Sequence, residues 1–331
     1  MAVTLKDVAE LAGVSRSAVS RTFTEGASVS PKTRRKVEKA AAELSYHPNF
    51  IARSLTTRRT KLIGLVSDNF HNPVFLEVFD LFTRELQNRG LRPLLVNLTG
   101  ETEPEHSLRM LRQYSVDGVI VASSTLPSTF AHAFRQAGVP VVHSFGRHTS
   151  SPDVHIVGID NRYCGRLAAE ALLARGYRHV GFLGGPAQAT STQDRCAGFV
   201  EALKAHPQVV VDISYANAYS FEAGRAEMGR LLQGERAEAY FCADDILSVG
   251  ALSAIASAGL STPADMGIIG LNDMEMASWA SIDLTTIHQP IPQIISSSVE
   301  LIVTMLEEPE RAPESRLFRC HIVERGTLRS I

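Results

Sequence analysis

The 331-residue sequence holds four cysteines, Cys164, Cys196, Cys242 and Cys320, scattered with no CxxC pair and no Cys/His pair at metal-ligand spacing. That spacing argues against a disulfide framework or a structural zinc site, and casts the four as reduced core residues. No apolar run approaches the roughly 20 residues a bilayer span needs, and no basic-then-apolar leader opens the chain. The expectation is a cytoplasmic protein without membrane contact. GxSxG, GxGxxG, HExxH and a Walker-type loop are also missing, and Gly184-Gly185-Pro186 is too short for a phosphate cradle and lacks its lysine. An enzyme would have to work with strand-end acids and histidines such as Asp68, His71 and Asp245. No cofactor and no metal is called for.

What is present is uneven in charge. The overall charge of -2 conceals a head, residues 1–60, with eleven Lys/Arg against five Asp/Glu, a net of +6 that leaves −8 for the rest. A basic head on an acidic body points to an anionic partner for the head alone. The length fits two or three domains, and 44% hydrophobic with 21% charged residues is ordinary for a globular chain.

Within the head, Val3 to Phe23 reads VTLKDVAELAGVSRSAVSRTF. Leu5, Val8, Ala9 and Ala12 recur at helical spacing, Thr4 and Asp7 form a capping-box start, and Gly13 suits a helix C-terminus. Ser15 then caps a second short helix carrying Ala18, Val19 and Phe23. Helix, tight turn, helix is the geometry that lays the start of a second helix against base edges in the major groove, here Ser15, Arg16, Ser17 and Arg21. A bare helical hairpin is the alternative that the charge asymmetry weighs against. Ser30-Pro31 starts a third helix with Val37, Ala40, Ala41 and Leu44 on one face. Asn49 caps a further start over 49–55, a length too short to be helical alone. Two copies could pair through Ile51, Ala52 and Leu55, leaving Leu55 as a wedge for the minor groove and Arg53 near phosphate.

From Lys61 the pattern becomes strand then helix, with strands expected at 62–66, 94–98, 118–122, 139–145, 154–159, 180–184, 239–243 and 266–271. Helices are expected at 73–89, 102–114, 127–137, 161–175, 193–205, 221–233, 245–258 and 291–307. Apolar strands alternating with amphipathic helices make parallel sheets covered on both faces. The strands are too many for one sheet. The chain is expected to cross into a second lobe at 159–161, return near His288-Gln289-Pro290, and end in a strand pair around 318–323.

Taken together, VTLKDVAELAGVSRSAVSRTF, SVSPKTRRKVEKAAAELSYHPNFIARSL, KLIGLV and LTTIHQP resemble the LacI/GalR family of bacterial transcription regulators. The likeness continues in GFLGGP at 181–186, Arg195-Cys-Ala-Gly-Phe199, Ala243-Asp-Asp245 and Gly270-Leu-Asn-Asp273, where Asn272 stands in a position that is often aspartate in the family. The resemblance implies an α/β chain: a three-helix helix-turn-helix head (1–48), a hinge helix and linker (49–60), and a two-lobed core like periplasmic sugar-binding proteins (61–331). Lobe one would take about 61–159 and 290–320, lobe two about 160–289 with the C-terminal strand. It further implies a homodimer on a pseudo-palindromic double-stranded operator, repressing under the control of a small effector. The DNA contacts would come from Thr4, Ser15, Arg16, Ser17, Ser20, Arg21, Asn49, Ala52, Arg53 and Leu55. By family position the effector would meet Phe70, Asn72, Arg195, Tyr219, Asp244, Asn272 and Gln289. Carboxylates, amides, a forked arginine and an aromatic face suit a sugar or polyol, with a purine as the alternative. Asp244 or Asp245 could instead cap the helix that follows, and Phe70 could be core. The segment VERGTLRSI has no leucine heptads, so a dimer rather than a tetramer is expected.

Overall fold

A computed structural model describes residues 3–24, 26–47, 59–98 and 104–331. Contacts divide the chain into two compact units, Met1–Thr60 and Lys61–Ile331. The expected hinge residues Asn49, Ala52, Arg53 and Leu55 lie outside the described residues.

The head consists of α1 (Leu5–Ala12), α2 (Arg16–Thr22) and α3 (Pro31–Glu43). At the start of α1, the Asp7 carboxylate accepts from both the backbone N–H and the hydroxyl of Thr4, each at 2.8 Å, which holds its pKa below the usual carboxylate range. Gly13 ends that helix at φ 63°, a left-handed conformation that costs glycine little. Ser15 caps α2 by accepting from the Ala18 N–H at 3.2 Å. Val8, Ala9, Ala12, Val19, Val37, Ala40 and Ala41 bury one small core that fixes the three helices. Arg34 of α3 donates to the Thr22 carbonyl at 2.8 Å and so ties down the end of α2.

The body contains two six-stranded sheets. The first runs β1 (Leu62–Ser67), β2 (Arg92–Asn97), β3 (Gly118–Ala122), β4 (Val141–Ser144), β5 (His155–Ile159) and β11 (Ser315–Phe318), in the order β11-β5-β4-β3-β1-β2 and parallel throughout. The second is built from β6 (His179–Gly184), β7 (Val210–Tyr215), β8 (Ala239–Cys242), β9 (Gly267–Asn272), β10 (Thr286–His288) and β12 (His321–Val323), in the order β12-β10-β9-β8-β6-β7. There β12 alone runs antiparallel, against β10. The chain passes between sheets after β5, after β10 and after β11. Helices α4 (Val74–Asn88), α5 (Pro104–Gln113), α6 (Ser128–Gln136) and α11 (Ile291–Glu307) belong to the first lobe. The second lobe has α7 (Asn161–Ala174), α8 (Thr190–Leu203), α9 (Phe221–Leu231) and α10 (Asp245–Ser257).

Three expectations need correction. The C-terminal strands do not pair with each other: β11 joins β5 of one sheet and β12 joins β10 of the other, so Arg319-Cys320 is a third crossover. Two strands were missed, β7 and β10. An edge strand reading VVDISY alternates instead of forming an apolar run, and β10 is only three residues long. The four cysteines are free and buried as expected, and burial pushes the Cys242 thiol up to about 12.

Lobe two depends on backbone-to-backbone approach between paired helices. A Cβ on Gly198 of α8 would meet the Arg162 carbonyl of α7 at 1.9 Å, and one on Gly224 of α9 would meet the Leu247 carbonyl of α10 at 2.5 Å. Gly229, one turn further along α9, has nothing within 4 Å. Gly224→Ala should therefore destabilise by about 1–3 kcal/mol through overpacking, whereas Gly229→Ala should be neutral or add up to about 1 kcal/mol by helix propensity. Urea unfolding of the two variants beside the parent checks this difference in sign.

Candidate functional site

The loops at the C-terminal ends of both sheets face each other across a cleft, as in open α/β folds generally. Its cavity is lined by Asn69, Ser124, Arg195, Asp244, Asn272 and Gln289 on the polar side, with Phe75 and Phe145 among the apolar walls, their rings 6.3 Å apart and edge-on. The lobes stand nearly closed, leaving free space of about 20 Å³, room for about one water.

Asp244 organises this space. Its Oδ1 accepts from the Ile246 N–H at 3.0 Å, capping α10. Its Oδ2 accepts from Asn272 at 2.9 Å within lobe two and from Asn72 at 3.0 Å across the cleft from lobe one. Burial raises the carboxyl's pKa, opposed by the Ile246 N–H, by Arg195 and by the two amides. Arg195 is itself held: Nε donates to the Asn161 side chain at 2.8 Å and Nη1 to the Ala243 carbonyl at 2.5 Å, which leaves Nη2 for the cavity. Backbone strain collects at the rim, where three non-glycine residues have positive φ: Phe145 (66°), Asn272 (135°) and Asp273 (60°).

Models of two known families match this chain. Residues 4–49 match bacterial regulatory proteins of the lacI family, and residues 169–328 match a periplasmic binding protein-like domain. The HTH-type transcriptional repressor PurR of Vibrio atlanticus is 31% identical over 336 residues, covering 99% of both chains. The chain belongs to the lacI family. The repressor PurR of Klebsiella pneumoniae is likewise 31% identical, over 98% of this chain and 96% of its own. Among solved structures, a lac repressor dimer bound to operator and the anti-inducer ONPF superposes with a TM-score of 0.88 at 28% identity, covering 99% of each chain. A complex of the transcriptional regulator CelR with cellobiose gives 0.72 at 29% identity, covering 98% of this chain and 99% of that one. These relatives are regulators, not enzymes, which removes the acid/base reading of Asp68, His71 and Asp245. No helix among the described residues is long and apolar enough to cross a membrane.

Within this family frame, five of the seven expected effector residues meet at one place: Arg195, Asp244, Asn272 and Gln289 line the cavity, and Asn72 reaches it through Asp244. The other two do not line it. Phe70 is half-buried and packs on Phe79, ring centroids 4.8 Å apart. Tyr219 stands behind the wall, its hydroxyl hydrogen-bonded to Thr192 at 2.6 Å and Ser191 at 3.2 Å. Ser124, Phe75 and Phe145 were missed, and Asn69, although a strand-end residue between Asp68 and Phe70, was not among the seven expected contacts. Phe145 directly follows β4, so its place at a strand end was the signal that could have located it.

In the head, Ser15, Arg16, Ser17, Ser20 and Arg21 are all exposed while Val19 and Thr22 face the core. Ser15 also touches the Ser17 hydroxyl at 2.9 Å. Thr4, exposed, has its hydroxyl proton engaged by Asp7.

Asp245 has a different role from Asp244. Fully buried, it accepts from Thr286 at 2.6 Å and the Met274 N–H at 2.8 Å, and burial lifts its pKa to about 7. The folded chain therefore holds this proton more tightly than the unfolded one, whose carboxyl titrates near 4. The group's contribution to stability is complete at low pH and is lost as pH rises toward 7, by up to about 1.4 kcal/mol per pH unit. Urea unfolding between pH 4.5 and 7.5 should show Asp245→Asn less sensitive to rising pH than the parent; parallel slopes would refute the assignment.

Proposed function

We propose that this protein is a DNA-binding transcriptional repressor that acts as a dimer on operator DNA and is controlled by a small effector held between the two lobes of its body. The division into head (1–48), hinge and linker (49–60) and body (61–331) belongs to this reading, with Asn49, Ala52, Arg53 and Leu55 contacting the minor groove. One observation carries it: a helix-turn-helix head with a solvent-facing Arg16/Arg21 surface is joined in one chain to a cleft whose polar groups converge on a cavity.

For the effector, a purine base takes precedence over a sugar. The relatives named PurR support this, as do Phe75 and Phe145 in a narrow space suited to a flat molecule. Among the described residues, neither the Asn69 nor the Gln289 side-chain amide has a hydrogen-bond partner in the chain, and each offers a donor and an acceptor as the edge of a base requires. The sugar reading keeps support from the CelR–cellobiose complex and from Asp244, a carboxylate suited to hydroxyls.

Thermal unfolding with guanine, hypoxanthine, glucose, ribose and cellobiose separates the two, since a ligand at 100 times its Kd stabilises by about 2.7 kcal/mol. A rise with a purine alone supports the proposal; a rise with a sugar alone reverses the order. Gln289→Ala should weaken the stabilising ligand about 5–30-fold with little effect on the fold, as expected for one lost hydrogen bond. Asp244→Ala should lower both affinity and unfolding temperature, because three donors lose their acceptor.

In the head, Arg16 and Arg21 are assigned to base reading, with Ser17 between them. An arginine pairing with guanine O6 and N7 discriminates by roughly 1–3 kcal/mol. Arg16→Ala should therefore relax one symmetric pair of positions in a random-site selection while non-specific binding persists. An unchanged selected sequence would show that Arg16 reads no base.

A further inference from the structure

With space for about one water, the cleft admits no base or sugar until the lobes part, so whatever holds them together governs entry. Among the described residues, hydrogen bonds cross it at three places. Asn72 meets Asp244, as described. The Ser124 carbonyl after β3 accepts from the Ser191 N–H at 3.1 Å and the Thr190 hydroxyl at 3.0 Å, both in the first turn of α8. The third is Arg147, just beyond β4 of lobe one. Its Nε donates to the Asp194 carboxylate at 2.8 Å, and its Nη2 to the Thr190 carbonyl at 3.1 Å and the Gln193 side chain at 2.9 Å. Among the described residues, Arg147–Asp194 is the one ion pair that joins the lobes. Asp194 is mostly covered and Arg147 partly so, which leaves the pair open to screening by salt.

We propose that Arg147 is a closing latch: seated on the first turn of α8, its guanidinium favours the closed arrangement of the lobes and sets how often the cleft opens to an effector. A forked arginine suits this role because one planar group engages a carboxylate, an amide and a backbone carbonyl together, so all three contacts break in a single opening. Losing them should raise the open population about 3–30-fold, the scale of one charge-assisted contact with neutral ones beside it. The significance of the latch rests on the cleft being the effector site, but its existence does not, and it can be tested with no effector present.

Gln113→Cys and Gln233→Cys place spin labels on exposed positions of lobe one and lobe two, while the four native thiols are buried. Pulsed dipolar spectroscopy on the labelled full chain should give one narrow distance in low salt. Arg147→Ala should add a second, longer distance. About 1 M KCl, where screening acts over about 3 Å, should do the same to the parent and little more to the variant. Reversing the pair with Arg147→Asp and Asp194→Arg together should restore much of the narrow distribution, which a mere folding defect would not. A parent distribution unchanged by salt together with an unchanged Arg147→Ala distribution overturns the latch, and leaves the effector reading to be judged by ligand binding alone.

Discussion

The body depends on one buried carboxylate. Asp244 is where a helix start, a strained strand end and the opposite lobe meet: it caps α10 through Ile246, holds Asn272 at φ 135°, and receives Asn72 from the first lobe. Burial works against the charged carboxylate, and three hydrogen-bond donors with Arg195 nearby oppose that cost. The same arrangement makes the site responsive. Anything entering the cavity must compete for, or rearrange, donors that already tie the two lobes together. Asp245 next to it faces the interior of lobe two, where Thr286 and Met274 hold it. Adjacent acids in the sequence thus divide into one that joins lobes and one that braces a single lobe.

Lobe two is stiff for a separate reason. Where glycines let α7 meet α8, and α9 meet α10, backbone against backbone, the pairs cannot slide without steric overlap. Three crossovers, at 159–161, 288–291 and 318–321, connect this lobe to the other. Two of them border the site: Asn161, beside the first, holds Arg195, and Gln289, within the second, lines the cavity.

The head was legible almost residue by residue because its signals are local. A capping box, a glycine at a helix end and a serine cap each act within four residues, and the structure has all three at Thr4, Gly13 and Ser15. The alternating strands and helices of the body were equally plain, being carried by apolar runs such as Gly118–Ala122. Strand β7 was not, because an edge position leaves half its residues exposed, nor was the parting of β11 from β12, which is decided by partners about 160 and 35 residues away in sequence. The cleft was legible as a set of strand ends but not as a set of side-chain directions. Phe70 and Phe75 lie five residues apart, and nothing local says that the second faces the cavity while the first turns to Phe79.

The proposed link between cleft and head is thermodynamic. An effector that prefers one arrangement of the lobes shifts DNA affinity only by as much as its own affinity differs between the arrangements, and the effect is reciprocal. Fluorescence anisotropy on the DNA selected by the full chain, titrated with and without the ligand that raises the unfolding temperature, measures that link directly. The expected result is a change in DNA affinity of about 5–150-fold, matched by the same factor when ligand affinity is measured with and without DNA. Identical DNA affinities at saturating ligand would contradict it.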